Sequence, residues 1–196
     1  MEQKNILIVG VGGQGVLLAS EILSFAALKA GYDVKKSEIH GMSQRGGVVS
    51  SHVRIGEKIY SPLIKEGNAD VILAFEEAEA QRWIHFLKEN GKVILNKYKL
   101  VPPIASMKGY SYPEDPVGAV RKKVRDVEVV DGVSIAKRLG NLRLINTLLL
   151  GVLSSSLYIP EKVWEEVIRE RVPKGTEDLN IKAFQEGRVH ASHSGD

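Results

Sequence analysis

Two short glycine-rich stretches carry the residues of this chain best suited to chemistry. The first is Gly10-Val11-Gly12-Gly13-Gln14-Gly15, which follows the apolar run Ile6-Leu7-Ile8-Val9. Glycines at this spacing let backbone N–H groups at a helix start approach an anion or another chain closely. The second is Ser43-Gln44-Arg45-Gly46-Gly47, led in by His40-Gly41-Met42. Arg45 offers a planar fork of donors matched to carboxylate or phosphate, and its flanking glycines let the backbone close on whatever it holds. One such loop alone reads as a solvated turn. Two of them at the ends of adjacent strands favour a site, because ligands of open α/β sheets bind at that edge.

The first loop also fits G-x-G-x-x-G, a dinucleotide fingerprint that needs an acidic residue about 20 positions on, closing the next strand, for a ribose hydroxyl. Asp33 falls at the start of that strand, and Glu38 follows Lys35-Lys36 and precedes the second glycine loop. A tight strand-to-helix turn, its glycines permitting close packing, therefore outweighs NAD binding.

Other polar residues add little reactive equipment. His40, His52, His85, His190 and His193 show neither i, i+4 nor His-x-His metal spacing, and only His40 gains weight from its neighbours. Glu76, Glu77 and Glu79 open a helix, where carboxylates complement the dipole. Arg121-Lys122-Lys123 with Arg125 reads as a solvated face or a surface for a charged partner, and Asn146 as a buried amide needing partners. Nucleophile–base pairs, a Walker lysine loop and paired carboxylates do not emerge. This is the profile of a subunit that completes another chain's active site.

The elements that must position these loops alternate between strand and helix. A strand over residues 5–9 and a helix over 15–30, stopped by Gly31, flank the first loop. A polar strand over 32–38, suited to a sheet edge, leads into the second. Residues 48–63 read as an inserted β-hairpin turning at Gly56-Glu57-Lys58. Alternation then resumes with strands over 70–75 and 92–96 around a helix over 76–89, ended by Asn90-Gly91. Further along come an irregular stretch, a helix over 117–125, a strand over 127–131 and a short helix over 133–139. Helices over 142–157, 160–171 and 176–185 follow, the last stopped by Gly187. The expected fold is α/β, Rossmann-like, a mostly parallel sheet flanked by helices with an inserted hairpin and a helical C-terminal part. One domain spans 1–196, with an α/β core over 1–139, C-terminal helices over 140–188 and a fraying tail over 189–196.

Composition narrows the function classes. Of 196 residues, 43% are hydrophobic and 26% charged, enough for a core and ordinary for a soluble domain. No apolar run nears the ~18 residues of a membrane span. Residues 1–5 run directly into the first strand, so no signal peptide and a cytoplasmic location are expected. A net charge of +3, scattered rather than striped, argues against nucleic-acid binding. The chain has no cysteine, which excludes thiolate nucleophiles and thiolate-held metal or iron–sulfur clusters.

Gly10-Val11-Gly12-Gly13-Gln14-Gly15 paired with His40-Gly41-Met42-Ser43-Gln44-Arg45-Gly46-Gly47 resembles the gamma-type domain of 2-oxoacid:ferredoxin oxidoreductases. The similarity runs from strand one through Asn96 and resumes over residues 141–153, with Asn146 and Leu150-Gly151. Related gamma subunits carry a Tyr-Gly-Pro-Glu-type lead into Arg-Gly-Gly. The different lead here favours the archaeal indolepyruvate (arylpyruvate) branch over pyruvate. The resemblance implies an assembly that decarboxylates a 2-oxoacid on thiamine diphosphate, passes electrons through iron–sulfur clusters to ferredoxin, and delivers the acyl group to coenzyme A. Thiamine and clusters are implied on a large partner subunit, with no cofactor bound by this chain alone and no metal, nucleic acid or membrane. The implied cofactor-facing residues are Gly12, Gly13, Gln14 and Gly15 on one loop, and Ser43, Gln44, Arg45, Gly46 and Gly47 on the other. Arg45 and His40 are the catalytic candidates.

Overall fold

The computed structural model describes residues 3–40, 47–101 and 111–193. Its first strand, β1 (Lys4–Val11), is inaccessible to solvent from Ile6 through Val9. The alternation of side chains explains why the apolar run is unbroken. Ile6 and Ile8 enter one hydrophobic core, Leu7 and Val9 a second on the opposite face. Each such side chain moved out of water contributes roughly 1.5–3 kcal/mol, so β1 anchors both layers.

Helix α1 (Val16–Lys29) returns across the first core and stops where Gly31 takes φ 90°. Strand β2 (Asp33–His40) follows, then β3 (Val48–Gly56) and β4 (Ala69–Ala74). After α2 (Glu77–Trp83) and a 3₁₀ turn (Ile84–Phe86) comes β5 (Leu87–Asn96). Next are α3 (Pro116–Arg121), β6 (Asp126–Val130) and α4 (Gly132–Arg138). A second 3₁₀ turn (Leu142–Leu144) runs into α5 (Ile145–Ser154), followed by α6 (Glu161–Arg171) and α7 (Glu177–His193).

Among the described residues the strands form a sheet of order β2-β3-β1-β4-β5-β6. The pairs β1–β4, β4–β5 and β5–β6 are parallel, while β3 is antiparallel to both β1 and β2. The polar second strand is indeed at an edge.

The antiparallel hairpin is made by different strands from those expected. Residues 48–56 pair with β2 on one side and β1 on the other, from His40↔Val49 to Val34↔Ile55 and from Val11↔Val48 to Lys4↔Ile55. Both edges of β3 are thus occupied, and no ladder remains for an arm over 59–63. That segment is irregular and is held by side chains instead. Ile59 N–H donates to Asp33 Oδ2 (2.7 Å), and Arg54 Nη1 donates to the Ser61 carbonyl (2.9 Å). The second glycine loop therefore falls between β2 and β3 in sequence, and its residues 41–46 lie outside the described residues.

Two other expectations change. The helix over 76–89 is shorter, because strand β5 begins at Leu87. Asn90 turns with φ 61°, and Gly91 sits where a Cβ would lie 2.8 Å from Leu87 and 3.1 Å from the Ala69 carbonyl. Gly187 does not stop the last helix, which continues to His193. A Cβ on Gly187 would run into the Leu148 carbonyl, and one on Gly151 into the Phe184 carbonyl. The two glycines face each other where α5 crosses α7, so Gly187 serves close approach of two backbones, not termination.

Candidate functional site

The site lies at the C-terminal edge of β1, β4 and β5. There the first glycine loop, the turn after β5 and the turn before α5 come together. Gln14 braces the loop from within: its Oε1 accepts from Val11 N–H (2.7 Å), and its Nε2 donates to the Phe75 carbonyl (3.4 Å). Asn96 Nδ2 donates to the same carbonyl (3.2 Å), and Asn96 Oδ1 accepts from Gly132 N–H (3.2 Å). The half-buried Gln14 amide and the buried Asn96 amide therefore stitch four elements together at this edge. Gly12 N–H donates to the Gly47 carbonyl at 2.9 Å, joining the first loop to the end of the second.

The glycines play distinct parts. A Cβ on Gly10 would lie 2.7–2.9 Å from Gln14, Phe75 and Val16, so close approach is demanded there. Gly13 and Gly15 adopt φ 95° and 87°, the left-handed region that disfavours any side chain, and a Cβ on Gly15 would press on Asn146 at 3.1–3.3 Å. Gly12 meets nothing closer than the Gly47 oxygen at 3.7 Å, an ordinary contact. Its role is as a donor.

Glu38 does not read a ribose. Strand β3 separates β2 from β1, and Glu38 is occupied by Ser20 Oγ (3.2 Å) and Lys36 Nζ (2.7 Å). A dinucleotide site on the Rossmann plan needs its acid on the strand next to the glycine loop. The intervening antiparallel strand removes that geometry.

Two crevices open on either side of Gln14, with volumes of about 260 and 290 Å³, and Gly13, Gln14 and Arg143 line both. The first has apolar walls from Phe75, Val133, Leu142 and Ile145, with Tyr98 and Asn96 at its polar side. The second is more polar, bounded by Asn141, Asn146, Thr176 and Asn180. Arg143, Asn96 and Tyr98 were not singled out as site residues from the sequence. The signal available was a cation interrupting an otherwise apolar stretch just after Gly140-Asn141.

Of the other expected site residues, Ser43, Gln44, Arg45 and Gly46 lie outside the described residues. His40 closes β2, paired through its backbone with Val49. Gly47 is half-buried and carries the carbonyl that Gly12 meets. Asn146 is buried at the start of α5, where its Oδ1 accepts from Thr147 N–H (2.8 Å).

The remaining candidates are structural. Glu76 is buried and caps α2 by accepting from Glu79 N–H (2.9 Å), while Leu100 N–H and Tyr112 Oη–H donate to its Oε1. Burial raises the Glu77 and Glu79 carboxyls above their ordinary range, and burial with the Glu76 contact raises the Tyr112 phenol. His52 is a core histidine. Its Nδ1 accepts from Ile64 N–H (3.2 Å), its ring meets Phe86 edge-on, and burial lowers its pKa. Among the described residues no cluster of three or more His, Cys, Asp or Glu could hold a metal, and no helix is long and apolar enough to cross a membrane.

Comparison with known proteins agrees with this geometry and with the paired loops. The sequence matches the family described as pyruvate ferredoxin/flavodoxin oxidoreductase over residues 5–189. It is 42% identical over 194 residues to the indolepyruvate oxidoreductase subunit IorB of Thermococcus kodakarensis, covering 95% of each chain. To the subunit of the same name from Archaeoglobus fulgidus it is 44% identical over 188 residues, covering 93% of this chain and 92% of the relative. Among solved structures, the gamma subunit of a keto/oxoacid ferredoxin oxidoreductase from Geobacter sulfurreducens superposes with a TM-score of 0.71 at 25% identity, over 97% and 99% of the two chains. The resemblance carried by the two glycine loops is borne out: this chain belongs to the pyruvate ferredoxin/flavodoxin oxidoreductase family.

Proposed function

We propose that this chain is the small subunit of an indolepyruvate-type (arylpyruvate) 2-oxoacid:ferredoxin oxidoreductase, and that it completes an active site housed on a large partner subunit. The observation that carries the proposal is similarity at 42–44% identity along nearly the whole length of relatives that bear the indolepyruvate oxidoreductase subunit name. In the proposed reaction the bond between the carboxylate and the carbonyl carbon breaks and CO2 leaves. The acyl carbon is oxidised to a coenzyme A thioester, and its two electrons reduce ferredoxin.

Thiamine diphosphate on the partner supplies the electron sink for that bond cleavage, and iron–sulfur clusters supply the electron path. Without cysteine this chain offers no thiolate to a cluster, and it carries no Gly-Asp-Gly thiamine motif. Its part is binding and shaping. Gly12, Gly13, Gln14 and Gly15 present a braced backbone edge, and Ser43, Gln44, Arg45, Gly46 and Gly47, which lie between β2 and β3 in sequence, are the second set of cofactor-facing residues in this proposal. Arg45 would pair with an anionic group from substrate, cofactor or partner, and His40 ends β2 just ahead of that stretch in sequence.

Co-expression of this chain with the adjoining large subunit tests the reading. The two should co-elute on gel filtration as one thiamine-containing assembly. A small chain that elutes alone, with the large chain fully active without it, would contradict the proposal.

A further inference from the structure

We infer that the exposed basic turn over residues 121–125, between α3 and β6, is a docking surface for an acidic electron-carrier protein. The inference rests on the subunit reading above, whose reaction ends on such a carrier, and adds where on this chain the carrier sits.

Arg121, Lys122, Lys123 and Arg125 are all exposed, and their side chains form no hydrogen bond or ion pair among the described residues. Lys29, Lys92, Arg138 and Arg169, by contrast, each face a carboxylate. A helix C-terminus is served by one cation in its last turn, which Arg121 supplies to α3. The other three exceed that need. Like charges this close repel one another in the free chain, and the carboxylates of a partner relieve the repulsion.

The turn is held firmly. Lys122 N–H donates to the Gly118 carbonyl (3.1 Å), and the Lys123 and Val124 N–H groups donate to the Val120 carbonyl (3.0 and 2.9 Å). Val120 and Val124 are buried in the second core, so the cations stand on an anchored backbone. Crevices of about 320 and 420 Å³ open on its two sides. Lys123 and Arg125 line the first, together with Glu89 and Asp126. Arg121 lines the second, where Glu128 is held by Lys92 at 2.8 Å. The cations of the turn remain in excess over the carboxylates beside them.

Placement selects the partner. Strand β6 starts at Asp126, directly after the turn, and ends at Val130 opposite Asn96. The turn therefore lies at the N-terminal end of the parallel strands, whereas Gln14 and Asn96 lie at the C-terminal end. A large subunit closing over the C-terminal end leaves the basic end open to a second protein. An electron carrier must associate fast and leave again, which small, charge-steered interfaces allow. The cations are confined to one turn, shorter than the basic track that a nucleic-acid backbone requires.

The test uses the co-expressed two-subunit enzyme, with ferredoxin from the same organism as one acceptor and a viologen dye as the other. Arg121→Gln, Lys122→Gln, Lys123→Gln and Arg125→Gln combined should raise the KM for ferredoxin roughly tenfold, as should Lys122→Glu with Lys123→Glu. Dye reduction, co-elution of the two chains and the melting temperature should stay at the parent's values. Added salt should lower kcat/KM for ferredoxin more steeply in the parent than in either variant. An unchanged ferredoxin KM in both variants overturns the inference. Loss of co-elution overturns it too, by assigning the turn to the large subunit. If the parent chains neither co-elute nor reduce dye, the subunit reading fails instead. Calorimetry of the full chain with ferredoxin at low salt then decides the inference: binding that the Gln variant loses upholds it, and no binding overturns it.

Discussion

The backbone N–H of Gly12 donates to the carbonyl of Gly47 across 2.9 Å, which ties the first glycine-rich loop to the last residue of the second. This contact depends on Gly12 as a donor, not on its missing side chain. Gly12→Ala should therefore fold with stability within about 0.5 kcal/mol of the parent. Gly15→Ala should lose about 1–3 kcal/mol, because φ 87° is strained for alanine and the methyl presses on Asn146. Urea denaturation of both variants checks the contrast, and equal losses would count against it.

Gly187 gives a prediction of opposite sign to helix propensity. Glycine to alanine inside an exposed helix gains roughly 1 kcal/mol. Here the added methyl meets the Leu148 carbonyl, so Gly187→Ala should lose about 1–3 kcal/mol by overpacking the α5–α7 crossing. A raised melting temperature would show that the helices do not approach so closely.

His52 should make the fold acid-sensitive. Burial lowers its folded pKa below the ordinary 6.5, so the unfolded chain takes up the proton first. The stabilising contribution is complete above 6.5 and is lost as pH falls through the lower, folded value. His52→Asn keeps an acceptor for Ile64 N–H but cannot titrate. It should be less stable at neutral pH, through lost packing on Phe86, with a shallower decline on acidification. Parallel slopes in the two proteins would remove His52 from the account.

Arg45 is the residue proposed to carry the functional weight of the second loop. A hydrogen bond to a charged group contributes about 1.5–3 kcal/mol, so Arg45→Ala in the assembled enzyme should lower turnover or affinity roughly ten- to a hundredfold. Arg45→Lys should recover part of that. Steady-state dye reduction checks both, and full activity in Arg45→Ala would make the loop a solvated turn.

Much of this architecture is legible in the residues because local rules and tertiary packing agree there. The run Ile6–Val9 followed by glycines, the stop at Gly31 and the polar edge strand all behave as their chemistry dictates. Where they diverge, a long-range contact decides. The segment 59–63 has a strand-like pattern but cannot pair with β3, which already has two partners. Gly187 resembles a terminator and is instead a contact point with α5. Arg143 and Asn96 were not read as site residues because their meaning comes from residues distant in sequence: Gln14 and Gly13 for one, Phe75 and Gly132 for the other.

The central claim is that this chain completes an oxidoreductase whose cofactors sit on a larger subunit. The most direct measurement is a titration of purified large subunit with this chain, following reduction of a ferredoxin or dye with indolepyruvate and coenzyme A both present. The account predicts no activity from either chain alone, and a linear rise that saturates at a fixed ratio of the two. Full activity in the large subunit alone, or no rise at any ratio, would contradict it.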